Sequence, residues 1–239
     1  MLRISLILVT LFLLAEMPVI AAQKTIEPGS EWSKTRHLKN GDDSFQILFA
    51  RSGWETQQSG NVKRSLNISN DTIKMVRETT RGKYITIDTL WMNFPSLIPI
   101  AFNSNQKDRF TNYSVKDDEI KIHIDFVTAD VLDFSQSIGP GFYDVSTLEL
   151  VLGGLKRKEL KDRSVRLFDP QTSSFIYFTV NEVNRERIED ANGNRHRCFL
   201  ITGKLNQAEA SFWVHRRSGE LIKSKLELNE QMAMILLRD

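Results

Sequence analysis

The sequence predicts a mainly β protein built on one large antiparallel sheet, with a single short helix near the middle of the chain. Three observations predict it. Most segments alternate apolar and polar residues with period two, pairs of turn-forming residues separate the alternating runs, and just one segment carries helical spacing.

The chain of 239 residues opens on a segment that reads as a secretory leader. Arg3 supplies the positive start, Ile4 to Leu14 is an uncharged apolar stretch, and small residues follow at Ala21 and Ala22. The stretch is short for a membrane span of about 20 residues, so a signal peptide over 1–22 is expected, with residues 23–239 forming a single domain. No cysteine lies near the cleavage point, which excludes a lipid-modified lipoprotein. Alternation then marks strands at Phe45 to Phe49, Val62 to Ile68, Lys83 to Met92 and Glu119 to Phe126. In the last of these, Ile120, Ile122, Ile124 and Phe126 share a dry face, which turns His123 to solvent. Further strands are read at Arg195 to Thr202, Ala208 to Val214 and Leu221 to Leu228, while Phe175 to Val180 is apolar on both faces. Asn70-Asp71, Asp117-Asp118, Asn192-Gly193 and Ser218-Gly219 are the hairpin connectors.

Val145, Leu148, Leu152 and Leu155 fall at steps of three and four, so a helix is expected near 145–155. Ser146 and Glu149 have capping-box spacing at its start, and Gly153-Gly154 supplies a stop that tolerates a left-handed backbone. Glycines and a proline in Ile138 to Phe142 punctuate the change from sheet to helix. Two hairpins on either side of this helix look alike. Leu90-Trp91-Met92 runs through Ser96 to Leu97-Ile98, and Phe212-Trp213-Val214 runs through Ser218-Gly219 to Leu221-Ile222, with one extra residue in the second connector. A twofold repetition of one sheet module explains this, and so does chance likeness of two hairpins.

Composition narrows the function. Lys plus Arg (32) nearly balances Asp plus Glu (30), and apolar residues make up 41%, which fits neither a nucleic-acid binder nor a disordered chain. The single cysteine, Cys198, cannot form an internal disulfide and reads as a small buried hydrophobe. His196 and Cys198 share a strand face, but no third or fourth ligand stands near them, and a zinc centre needs three or four. His37 and His215 read as exposed polar positions. No Gly-x-Ser-x-Gly elbow and no phosphate-cradling glycine loop occurs, and the paired carboxylates lie in turn-rich segments. No catalytic, cofactor or metal residue is therefore assigned, and an enzyme is not expected. Basic clusters at Lys156-Arg-Lys158, Lys161 to Arg166 and Arg216-Arg217 read as a wet, charged sheet edge; a role against an anionic surface would require them on one side of the fold.

The stretch Ile87 to Ile100, with its Leu-Trp-Met and Phe-Pro-Ser-Leu-Ile-Pro, and the later stretch Ala210 to Ile222 resemble a family of exported bacterial domains of unknown function. The likeness runs from about residue 40 to the C-terminus. The fold of that family is similar to the open half-barrel of the periplasmic lipoprotein-localisation factors, in which a curved sheet wraps a helix against its concave face. The resemblance implies an apolar concavity able to take a lipid, an acyl chain or a lipoprotein, and it brings no catalytic residues. Trp91, Leu97, Leu148, Leu152, Phe212 and Trp213 are the candidates to line such a cavity, or else they fill the core. The expected role is non-enzymatic binding of a hydrophobic ligand by an exported, periplasmic or extracellular protein. An envelope protein-interaction module is the alternative, and an extracytoplasmic hydrolase stands third.

Overall fold

The computed structural model of the chain describes residues 24–29, 35, 37–156 and 160–239. The expected leader, 1–22, lies outside the described residues, as do Arg157 and Lys158 of the first basic cluster. Two long meanders account for nearly all of the fold. The first is β2 (Gly41–Arg51), β3 (Gln57–Ser69), β4 (Thr72–Arg81), β5 (Tyr84–Asn93), β6 (Pro99–Asn105), β7 (Arg109–Lys116), β8 (Glu119–Phe126) and β9 (Leu132–Ser137). The second is β11 (Arg163–Asp169), β12 (Ser174–Glu189), β13 (Arg195–Leu205), β14 (Ala208–His215), β15 (Leu221–Asn229) and β16 (Met232–Arg238). Within each, neighbours in sequence are neighbours in the sheet, and β16 pairs with β2 to weld the two into one.

All of these pairings are antiparallel, as expected. The exceptions sit at one edge, where β1 (Lys24–Ile26) and the two-residue β10 (Tyr143–Asp144) both pair with β11 in parallel. The sheet is therefore mixed, and it is open, its path ending on β1 and β9. All four turn-forming pairs join hairpins, with positive φ at Asn70, at both Asp117 and Asp118, at Gly193 and at Gly219. One strand departs from its reading. Phe175 to Val180 alternates, with Ile176, Phe178 and Val180 buried and Tyr177 exposed, so this part of β12 has one wet face rather than two dry ones.

The open sheet curls until β7, two strands in from the β9 edge, meets the β10–β11 side through side chains. Tyr113 of β7 donates to the carboxylate of Asp144 at 2.6 Å, and Arg109 of β7 donates to the Gln171 carbonyl at 3.2 Å. Between them an aromatic cluster spans the seam: Phe102 stacks on Tyr113 at 5.4 Å, and Tyr113 meets Phe168 of β11 edge-on at 5.3 Å. Two close approaches assist the bending. A Cβ at Gly60 would lie 2.1 Å from the Thr80 carbonyl oxygen, and one at Gly203 would lie 2.1 Å from that of Thr179. Both glycines face register shifts, between Ile47 and Leu48 and between Val180 and Glu182, the kind of irregularity that sharpens sheet curvature.

The inner face carries one continuous core, drawn from β2 to β8, from β11 to β16 and from the helical segment. That segment is a 3-10 turn (Val145–Thr147) followed by α1 (Leu148–Gly154), which packs on β14 and β15. Its position matches expectation, but its ends differ. Asp144 is the cap, accepting from the Ser146 amide at 2.8 Å, and Glu149 is drawn instead to Arg64, so no capping box forms. Neither Gly153 nor Gly154 adopts a positive φ. Gly153 is needed for space: a Cβ there would lie 2.2 Å from the carbonyl oxygen of Gly219 in the β14–β15 hairpin.

The structure also resolves the likeness of the two hairpins. The amides of Asn93 and Leu97 bond to the carbonyls of Ile98 and Asn93, and those of His215 and Gly219 bond to the carbonyls of Glu220 and His215. Leu97 and Gly219 both hold positive φ, and in each hairpin a bulge follows the tryptophan, between Trp91 and Met92 and between Trp213 and Val214. Met92 pairs with Pro99, and Val214 pairs with Leu221. The two connectors are thus equal in length, so the extra residue expected in the second one is absent. The two hairpins share one backbone design.

Candidate functional site

Inside the curled sheet the core is incomplete. A cavity of about 260 Å3 lies beside the start of α1, walled by strands from both meanders. Its apolar lining includes Phe102 of β6, Leu148 of α1, Leu205 of β13, Phe212 of β14, Leu226 of β15 and Leu236 of β16. It shares Arg77, Asp88, Gln171, Met234 and Leu236 with a second hollow of about 530 Å3, which leads out past Thr79, Arg81 and Tyr84. The combined groove is greasy at its inner end and polar towards the rim. The inner cavity falls just short of the usual size range of small-molecule sites, about 300–1,000 Å3, and the outer hollow lies within it.

Polar groups interrupt the apolar lining, and strand parity places two of them, Arg77 and Asp88. Arg77 is in phase with the buried Ile73 and Met75 of β4, so its guanidinium is carried onto the inner face. It is half-buried, and its guanidinium has no hydrogen bond to any described residue; Asp88, its cross-strand partner on β5, feels its charge. Asp88, in phase with Leu90 and Met92, accepts from Ser104 Oγ at 2.6 Å. Burial raises its carboxyl above the ordinary range, opposed by the Ser104 hydrogen bond and by Arg77. Asp144 is fully buried, and burial lifts its carboxyl to about 6 against the hydrogen bonds of Ser146 and Tyr113, with the nearby Asp88 charge adding to the rise. Burial and the adjacent Asp144 carboxylate push the Tyr113 phenol well above its usual value, so it stays a donor.

A second buried polar group ties α1 to the sheet. Arg64, only 3% exposed, reaches Glu149 of α1 and Asp43 of β2 at 2.5 Å each, and Arg238 of β16 also bonds Asp43. Arg64 Nη1 and Nη2 thereby clamp the helix over the junction of the two meanders.

The six expected lining residues separate into three groups. Leu148 and Phe212 do line the cavity. Leu97 and Leu152 are fully buried in the continuous core and face neither hollow. Trp91 and Trp213 are on the outer face, since each sits between two core-facing neighbours. Trp213 packs there with Cys198 and Ile222, donates from Nε1 to Glu186 at 2.7 Å and has Lys223 over its ring. Trp91 lies under Lys74. Neither tryptophan can line the cavity, because a strand residue in antiphase with the core points away from it. The lining that sequence reading missed, Arg77, Asp88 and Asp144, left one trace: a charged side chain in phase with an apolar set.

The histidines and the cysteine also find their places. His123 is at the surface as expected, 2.7 Å from Asp133. His37 and His215 are not exposed but half-buried: His37 wedges between Gly153 and Gly219 and donates to the Leu150 carbonyl, and His215 meets the His196 ring edge-on at 5.9 Å. His196 bonds Asp190 at 2.9 Å. Burial opposes ionisation of Asp190, yet hydrogen bonds from His196, Asn194 and Asn192 prevail and hold it at about 2. Cys198 is fully buried, and burial together with the Glu186 carboxylate pushes its thiol up to about 11.

Compared with models of known protein families and with curated protein sequences, the chain matches none.

Proposed function

We propose that this chain is an exported cell-envelope protein that holds the apolar part of a lipid, an acyl chain or a lipoprotein inside its curled sheet, without catalysing a reaction. The observation that carries the reading is the unfilled cavity between Leu148 of α1 and the inner faces of β6 and β13 to β16. Roughly eight methylenes moved there from water would contribute about 6 kcal/mol before the costs of association. Arg77, half-buried and without a hydrogen-bonded partner, favours a ligand whose head is acidic. The resemblance to the exported half-barrel family and the leader-like first residues support the same role and the same compartment.

Titration of the purified protein with a fluorescent fatty acid tests the proposal. Saturable uptake is expected, weakened at least tenfold in Leu148→Trp, which fills the cavity, and weakened for the acid but not for the matching alcohol in Arg77→Gln. A protein that takes up no probe and releases no lipid into organic solvent would reject it.

One observation favours a second reading, docking of another envelope protein. The sheet path ends on β9, and Leu132 and Phe134 on that strand are exposed, as are Val127 and Val131 just before it. An unpaired strand edge bearing apolar side chains can accept a strand from a partner. Photo-cross-linking from position 134 in cells, with the cavity assayed for lipid in parallel, separates the two roles.

A further inference from the structure

The second of the two matching hairpins carries a basic pocket that the first lacks. A hollow of about 590 Å3 beside its turn is lined by Arg195, Arg197, Phe199, His215, Arg216 and Arg217. Arg195 is engaged by Glu189 at 2.9 Å, but Arg197, Arg216 and Arg217 form no ion pair with any described residue. The nearby carboxylates are committed elsewhere: Asp190 to His196, Glu186 to the Trp213 indole, and Glu220 to Ser218 and Lys39. Arg216 lies over the Phe199 ring at 5.3 Å, which sets its guanidinium against one wall of the hollow.

The first hairpin is an internal control. Its turn has the same hydrogen bonds and the same left-handed residue, yet Asn93 to Ile98 includes no charged side chain. The backbone design therefore does not require the arginines. Arg197, Arg216 and Arg217 are exposed, so water tempers their mutual repulsion, and an anion seated among them would relieve what remains. Guanidinium forks suit tetrahedral oxyanions, to which they donate in pairs.

We infer that this pocket is a binding site for a phosphate group, separate from the interior cavity. The phosphate could be carried by an anionic phospholipid or by a soluble phosphorylated compound, and the test has an arm for each. The full chain would be titrated at low ionic strength with pyrophosphate, and in parallel sedimented with vesicles of phosphatidylglycerol and phosphatidylcholine or of phosphatidylcholine alone. Saturable binding is expected in at least one arm, with affinity falling tenfold or more in Arg197→Gln/Arg216→Gln. The control pair Lys74→Gln/Lys121→Gln, which removes the same charge from other strands, should change it by less than twofold. Binding of pyrophosphate identifies a soluble ligand, and binding confined to the anionic vesicles identifies a lipid headgroup. Absence of binding in both arms, or equal losses in the two double variants, would overturn the inference. Fatty-acid uptake measured on the same variants should not move, so failure here is distinguishable from failure of the interior-cavity reading.

Discussion

Arg64 offers the most demanding check on how the helix is held. Its side chain is 4% exposed and bridges Asp43 and Glu149, whose side chains are 17% and 13% exposed. Substitution by methionine keeps most of the packing volume but strands Glu149 against the sheet, while Asp43 retains Arg238. Breaking a buried pair on one side costs about 3–5 kcal/mol, and the residual solvent access at Glu149 argues for the lower end, about 3 kcal/mol. For a chain of this length that lowers Tm by roughly 6–12 °C. Urea unfolding of the parent, Arg64→Met, Glu149→Gln and the double variant would measure it. The double variant should lose less than the sum of the singles, since removing both charges leaves none unpaired. A loss below about 1 kcal/mol in Arg64→Met, or strict additivity, would refute the clamp.

Three other outcomes follow from the same structure. Asp144 titrates at about 6 when folded against 3.8 when unfolded, so the folded state binds more protons between these values and stability should fall as pH rises from 4 to 6. That decline amounts to about 3 kcal/mol at most and should flatten in Asp144→Asn, as read by urea midpoints across the window; a parent slope of opposite sign would count against the buried carboxyl. Gly153→Ala places a methyl 2.2 Å from the Gly219 carbonyl and should destabilise by about 1–3 kcal/mol in thermal unfolding, whereas a neutral result would mean the helix and hairpin are not in contact. Cys198, buried with its thiol raised to about 11, should react with a thiol reagent in native buffer only as fast as the protein opens, and stoichiometrically in denaturant; rapid native labelling would contradict its placement under Trp213.

The elements of this protein were legible because the forces that define them are local. Alternation in Glu119 to Phe126 puts Ile120, Ile122 and Ile124 on one face whatever lies beyond, and Asp117-Asp118 turns the chain by its own backbone preferences. The helix position was readable for the same reason, but the capping box its spacing suggests does not form, because Glu149 finds a stronger partner, Arg64, 85 residues away. Trp91 and Trp213 illustrate the limit. Their aromatic size suggested the interior, but parity sent them outward, and which face of a strand becomes the interior is not encoded in the strand alone.

By itself, then, the sequence determined a β-rich chain, its hairpins, the short helix near its middle and the likeness of its two tryptophan hairpins. Tertiary structure alone decided that β16 pairs with β2, that Tyr113 and Asp144 fasten β7 to β10 across an unclosed sheet, and that Arg77 and Asp88 face a cavity. Those outcomes depend on groups far apart in sequence being brought together at once, and on the volume they fail to fill, neither of which leaves a periodic signal within any single segment.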